Sequence, residues 1–131
     1  MSHDYPNDLR YTNEHEWVRV DGKIATIGIT QFAVEQLGDI TMIDLPKEGE
    51  SFKQEAQVAS IESVKAVSDI YAPVSGKVVK VNAPLADSPE MLNEDCYDEG
   101  WIAQLEMSSP AEVEKLMTAA EYAKYLAEQD H

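Results

Sequence analysis

The spacing of strand-like runs and turn residues constrains this chain most. Glu16-Trp17-Val18-Arg19-Val20 and Lys23-Ile24-Ala25-Thr26-Ile27-Gly28-Ile29 are rich in β-branched and aromatic residues, and Asp21-Gly22 joins them. Such a junction predicts a hairpin, with a type I′ turn that needs positive φ at both central residues. Further short strands are expected at 40–45, ended by Pro46, and at 51–53, after the turn Lys47-Glu48-Gly49-Glu50. Others follow at 57–61, 70–74, 77–81 and 101–107. In 77–81, the valines on both faces predict a strand covered on both sides. A parallel α/β sheet would need helices between the strands. The pattern instead predicts a mainly β protein, a compact barrel or sandwich of small antiparallel sheets.

The helical signals are few. Thr30 can cap a short helix through Leu37, with Phe32, Ala33 and Leu37 inward and Gly38 as a left-handed stop. Residues 82–100 carry Pro84, Pro89 and Gly100 and are expected to hold at most one helical turn, near 88–93. Ser109-Pro110-Ala111-Glu112 and Thr118-Ala119-Ala120-Glu121 both read as capping boxes. The second opens a helix with Tyr122, Tyr125 and Leu126 at spacings of three and four. The whole chain, 1–131, is expected to be one domain, with a core over about 9–108 and a helical segment over 109–128. Residues 1–9 are expected to form a loose lead-in.

Charge narrows the function. A formal net charge of -15 repels phosphate backbones and anionic lipid, so nucleic-acid and membrane-surface binding are disfavoured, while basic partner surfaces are attracted. Cys96 stands alone, which rules out an internal disulfide and a cysteine-rich metal site. No apolar run has the length of a membrane helix, and the N-terminus does not read as a secretory signal. A soluble, intracellular protein is expected.

Catalytic motifs are absent. His15-Glu16 is half of a zinc-protease motif without its second histidine, and His3 and His131 are terminal, so no metal site is expected. No nucleophile elbow, phosphate loop or dinucleotide fingerprint occurs, so no catalytic residue is assigned. One polar stretch stands out between two strand-like runs: Glu62-Ser63-Val64-Lys65-Ala66-Val67-Ser68-Asp69. It reads as a hairpin tip without glycine and with Lys65 exposed. Most such lysines are ordinary surface residues. A lysine on a rigid apex can also be acylated by a cofactor, which turns its flexible stem into a longer tether.

The surrounding residues carry a resemblance. Tyr11-Thr12-Asn13-Glu14-His15-Glu16-Trp17-Val18, Ile27-Gly28-Ile29-Thr30-Gln31-Phe32-Ala33 and Glu62-Ser63-Val64-Lys65-Ala66 resemble, in order, the glycine cleavage system H protein family. So do Asp69-Ile70-Tyr71-Ala72-Pro73-Val74-Ser75-Gly76, Asn82, Pro89, Asn93, Gly100-Trp101 and Tyr122, so that the likeness spans about 9–125. The resemblance implies the barrel-sandwich hybrid of lipoyl and biotinyl carriers, with a short inserted helix and C-terminal helices. It implies lipoic acid in amide linkage to Lys65, with Glu62, Ser63, Val64 and Ala66 recognised by the lipoate ligase or octanoyltransferase. Biotin carriers have methionines where Val64 and Ala66 stand here, so biotin is not implied.

The implied work is that of a non-catalytic carrier in glycine catabolism. It would take the aminomethyl group of glycine from glycine decarboxylase to the aminomethyltransferase and be reoxidised by dihydrolipoamide dehydrogenase. A related alternative is a relay of lipoyl or octanoyl groups to 2-oxoacid dehydrogenase subunits; a different one is an unmodified acidic interaction module. The loaded arm ends in a cationic amine, which carboxylates can hold by charge-assisted hydrogen bonds. Glu16 and Asp69 stand at positions that match such acids, with Glu14 a third; each could also be a solvated surface acid. His15 and Trp17 are expected to pack or hydrogen-bond nearby. Gln36 stands where some family members have a histidine, which removes a group that titrates near neutral pH. A monomer in a bacterial cytoplasm, rather than the mitochondrial matrix, completes the expectation.

Overall fold

The computed structural model describes residues 8–97 and 99–129; most of the lead-in expected at 1–9 lies outside them. Two antiparallel sheets face each other. The larger has six strands in the order β1-β2-β3-β9-β8-β5, and the smaller has three in the order β4-β6-β7. The strands are β1 (Arg10–Tyr11), β2 (Glu16–Asp21), β3 (Ile24–Ile29), β4 (Ile40–Asp44), β5 (Ser51–Phe52), β6 (Gln57–Ser63), β7 (Val67–Tyr71), β8 (Gly76–Val81) and β9 (Ala103–Met107). The helices are α1 (Gln31–Leu37), α2 (Pro84–Asp87), α3 (Met91–Glu94) and α4 (Ala119–Gln129), with a 3-10 helix at Pro110–Lys115. The mainly β class and the paired antiparallel sheets are as the strand pattern predicts, with short helices between and after them. Among the described residues, no helix is long and apolar enough to cross a membrane.

The β2–β3 hairpin forms with Asp21 opposite Ile24, so its two-residue loop is Gly22-Lys23. Only Gly22 has positive φ there, at 63°. That is the demand of a II′ turn, not of the expected I′, and it leaves Lys23 unstrained.

The main core fills the space between the sheets with Val18, Ile27, Ile29, Ile43, Ile61, Ile70, Val78 and Leu105, all buried. A second cluster lies on the other face of β2: Leu9, Tyr11, Trp17, Ala119, Tyr122 and Leu126. Helix α4 therefore covers β2 from outside. Glu16, Trp17 and Val18 are buried in succession, and the period of two expected of a half-exposed strand is lost there.

The second capping box forms as predicted. The Thr118 amide donates to Glu121 Oε1 at 2.9 Å, and the Glu121 amide to Thr118 Oγ1 at 3.2 Å. The first does not. Ser109 makes no side-chain cap, and the following turns are 3-10. Glu112 instead accepts from the Ser75 amide (2.6 Å) and hydroxyl (2.8 Å), a tertiary contact that replaces the local one. Residues 82–100 contain two helical turns, α2 and α3, where one was expected. Strand β8 is not covered on both sides: Val78 is buried and Val79 is exposed. The register to β9 shifts between Val78 and Lys80, so Val79 sits in a bulge. In α1 the buried residues are Val34 and Leu37, with Phe32 and Ala33 at the margin. Gly38 has φ 77° but ψ -145°, outside the left-handed helical well expected of it.

Tyr122 anchors α4. Its ring stacks on Tyr11 at 4.8 Å, and its hydroxyl lies 2.8 Å from both His15 Nδ1 and Thr30 Oγ1. Tyr122→Phe keeps the stack and removes the hydroxyl from the buried Thr30 and the half-buried His15. It should lower stability by about 1–3 kcal/mol in urea unfolding. A change below about 0.5 kcal/mol would show that this hydroxyl does not tie α4 to the sheet.

Candidate functional site

Lys65 sits at the turn between β6 and β7. Glu62 pairs with Val67 across the hairpin, and the Ser63 amide donates to the Ala66 carbonyl at 2.8 Å. The missing glycine is explained by Ser63. Its Oγ accepts from the Ala66 amide at 3.1 Å and from the Lys65 amide at 3.4 Å, so a side-chain hydroxyl organises the turn. A further bond comes from outside the hairpin: the Val64 amide donates to the Asp39 carbonyl at 3.1 Å. Lys65 is exposed, as are Glu62, Val64 and Ala66, while Ser63 is half-buried. Val64 and Val67 are each 70 % exposed, and Met42 on β4 is 54 % exposed opposite Glu62, so the tip presents apolar groups around an acid.

At the other end of β7 lies an open cleft of about 570 Å³. Tyr11, Thr12, Glu14 and Glu16 form one side, Gln54, Glu55 and Tyr71 another, and Lys115, Leu116 and Met117 a third. It opens between the β1–β2 connection of the large sheet and the end of β7 in the small one. Three of its lining residues are acids and one is a cation, so the cleft suits a cationic guest.

Glu16 forms its floor and is 1 % exposed. Thr12 Oγ1 donates to Glu16 Oε1 at 2.7 Å, and the Tyr71 amide donates to Glu16 Oε2 at 3.0 Å. The carboxyl thus joins the two sheets. Burial pushes its pKa up to about 7; the bonds from Thr12 and Tyr71 oppose this shift, and the charge of Glu14 adds to it. A carboxylate has about four acceptor sites, so these two bonds do not exhaust it.

The sequence-predicted acids are only partly brought together. Glu14 and Glu16 line the cleft. Asp69 does not: it is exposed on β7 opposite Ser60 and accepts from Gln57 Nε2 at 3.1 Å. Alternation along the strand puts Val67, Asp69 and Tyr71 on one face, so Asp69 lies on the path from the tip to the cleft. His15 does not face the cleft; its ring packs on Phe32 at 4.5 Å and bonds Tyr122, and burial lowers its pKa against the opposing charge of Glu14. Trp17 is buried, with its indole N–H on the Cys96 carbonyl at 2.9 Å. Gln36 is exposed on α1. Sequence reasoning missed Thr12, Tyr71, Glu55 and Lys115 as cleft residues. Glu55 reaches its place through a positive φ of 75° that no local glycine signals.

Comparison with known proteins shows the family. The family model described as Glycine cleavage H-protein matches residues 9–129. The glycine cleavage system H protein of Symbiobacterium thermophilum is 53 % identical over 123 residues, covering 94 % of this chain and 96 % of that protein. The one from Anaeromyxobacter sp. strain K is 50 % identical over 95 % of this chain and 98 % of its own length. The crystal structure of a glycine cleavage system H protein from Mycobacterium marinum superposes with a TM-score of 0.87 at 36 % identity, covering 94 % of this chain and 99 % of that one. The chain belongs to the glycine cleavage H-protein family.

Proposed function

We propose that the chain is a lipoyl carrier of glycine cleavage, with lipoate in amide linkage to Lys65, acting as one domain over the family-matched region. The observation that carries the reading is the placement of an exposed, braced lysine and an acidic cleft at opposite ends of one strand. Four residue steps along β7, at about 3.3 Å each, separate Val67 from Tyr71 by about 13 Å. That is the order of length of a lysine stem extended by an eight-carbon acyl chain. When bound, lipoate would supply the disulfide that accepts the aminomethyl group from glycine decarboxylase and yields it to the aminomethyltransferase, with dihydrolipoamide dehydrogenase restoring the disulfide.

The protein's own residues do the rest. Ser63 and Asp39 hold the turn so that Lys65 stays exposed at its apex. Glu62, with Val64, Ala66 and Ser63, marks the tip for the acylating enzyme. In the cleft, Glu16 and Glu14 offer carboxylates to a cationic amine, and the walls formed by Tyr11, Tyr71 and Met117 limit its contact with water. Asp69 offers an acid between the two places. None of these groups makes or breaks a bond in the cargo, which fits a carrier. The acidic surface steers the protein toward basic rims on its partner enzymes.

The test is intact mass spectrometry of the protein made with lipoate and a lipoate ligase, followed by peptide mapping. A lipoyl increment on the peptide containing Lys65 is expected. No increment, or an increment on another lysine, overturns the reading.

A further inference from the structure

The carboxamide of Asn93 on α3 clamps the loop that supports the lysine turn. Its Nδ2 donates to the Gly38 carbonyl at 2.8 Å, and its Oδ1 accepts from the Ile40 amide at 3.0 Å. One side chain thus brackets Asp39, the residue between them. The Asp39 carbonyl in turn accepts from Val64, next to Lys65. A second contact runs beside it. A Cβ built on Gly38 would lie 3.3 Å from Lys65 Cε, so the lysine stem rests on the bare face of that glycine.

This arrangement has a physical requirement. Gly38 adopts φ 77° and ψ -145°, a region closed to most residues, and a side chain there would meet the lysine stem. The support therefore has to be glycine, the residue with the least intrinsic rigidity. Something else must hold it. An asparagine can donate and accept through one planar group, which a carboxylate or an alkyl side chain cannot do.

We infer that Asn93 is a positioning residue for Lys65: through Gly38, Asp39 and Ile40 it fixes where the lysine amine stands, and so sets the rate at which that amine is acylated. The inference rests on the lipoyl reading of Lys65. Small displacements of a reacting atom cost rate in the chemical step more than in binding. The recognition residues Glu62, Val64 and Ala66 share the turn with Lys65 and still meet the enzyme when the support loosens.

The test uses the full chain with Asn93→Ala and Asn93→Asp, the second keeping an acceptor for the Ile40 amide should the first not fold. Two measurements are made. Amide hydrogen exchange by NMR should quicken about tenfold or more at Val64 and Ile40, with the Ser63 amide and the β2–β3 core amides unchanged. A role in global stability alone would quicken the core amides too. Octanoyl transfer to the protein by an octanoyltransferase should show kcat lower by about tenfold or more in Asn93→Ala, with KM within about twofold. Asn93→Asp should fall between. Unchanged exchange at Val64 overturns the bracket. Faster exchange at Val64 with unchanged kcat overturns its role in positioning the lysine. If wild-type protein takes no octanoyl group, the lipoyl reading itself fails and the acylation role falls with it, a result distinguished by its appearance before any substitution.

Discussion

Gly28→Ala should destabilise the protein by about 3–6 kcal/mol, a large part of the 5–15 kcal/mol that holds a typical domain folded. Gly28 lies directly opposite Trp17 in the β2–β3 pair, and the indole lies across the glycine. An added Cβ would lie 2.5 Å from Trp17 Cε2 and Cζ2 and 2.7 Å from Nε1. Trp17 is fully buried and has no room to withdraw. If the ring tilts, it loses the bond from its N–H to the Cys96 carbonyl; if it stays, the strands must part. Urea unfolding followed by the near-UV signal of the buried tryptophan measures the loss. A variant within about 1 kcal/mol of wild type would show that the indole has another place to go.

Glu16→Gln should change the shape of the stability curve between pH 4.5 and pH 8. The folded protein holds the Glu16 proton more tightly than the unfolded chain, because its pKa rises from 4.5 to about 7. The stability contributed by this group is therefore fully present below about pH 4.5 and is lost as pH rises through about 7. The loss amounts to about 3 kcal/mol. Glutamine has no proton to lose, so wild type should fall relative to Glu16→Gln by about that amount across the window. A constant offset is also expected, because Thr12 and the Tyr71 amide bond different carboxyl oxygens and a carboxamide puts a donor NH2 in place of one of them. Parallel curves across this window would place the titration elsewhere. The same carboxyl bears on the proposed cargo. A cationic amine in the cleft favours the ionised form, so wild-type protein should hold a loaded arm more firmly as pH rises through 7, and Glu16→Gln should lose the aminomethyl group faster.

The parts of this fold visible in the sequence are those whose partners are close in the chain. The Thr118–Glu121 box closes over three residues, and the β2–β3 hairpin over two. The Ser109–Glu112 box has the same local pattern and fails, because Glu112 finds Ser75, 37 residues away. The bulge at Val79 follows from registry with β9, which nothing within residues 77–81 encodes. The site divides in the same way. Lys65 stands out in the sequence through the ordered motifs around it and not through its own turn, which lacks glycine. The depth of Glu16 is not marked locally: its second partner, Tyr71, is 55 residues away, and α4, which buries its neighbours, comes later still. Asp69 and Glu16 are both acids within matching motifs; the fold puts Asp69 on an exposed strand face and Glu16 beneath a cleft.

The two sheet margins at the cleft have a consequence for what can enter it. At the β1 margin, the Tyr11 amide donates to the Met117 carbonyl at 2.8 Å and the Met117 amide to the Tyr11 carbonyl at 2.9 Å. At the β7 margin, the Tyr71 amide is taken by Glu16. An intruding peptide adds to a sheet by pairing with free backbone donors and acceptors along such a margin. At the cleft itself these groups are already engaged, so a foreign strand finds fewer partners there, while a slender chain that asks for no backbone partners still fits. Margins capped in this way let a surface groove discriminate against polypeptides.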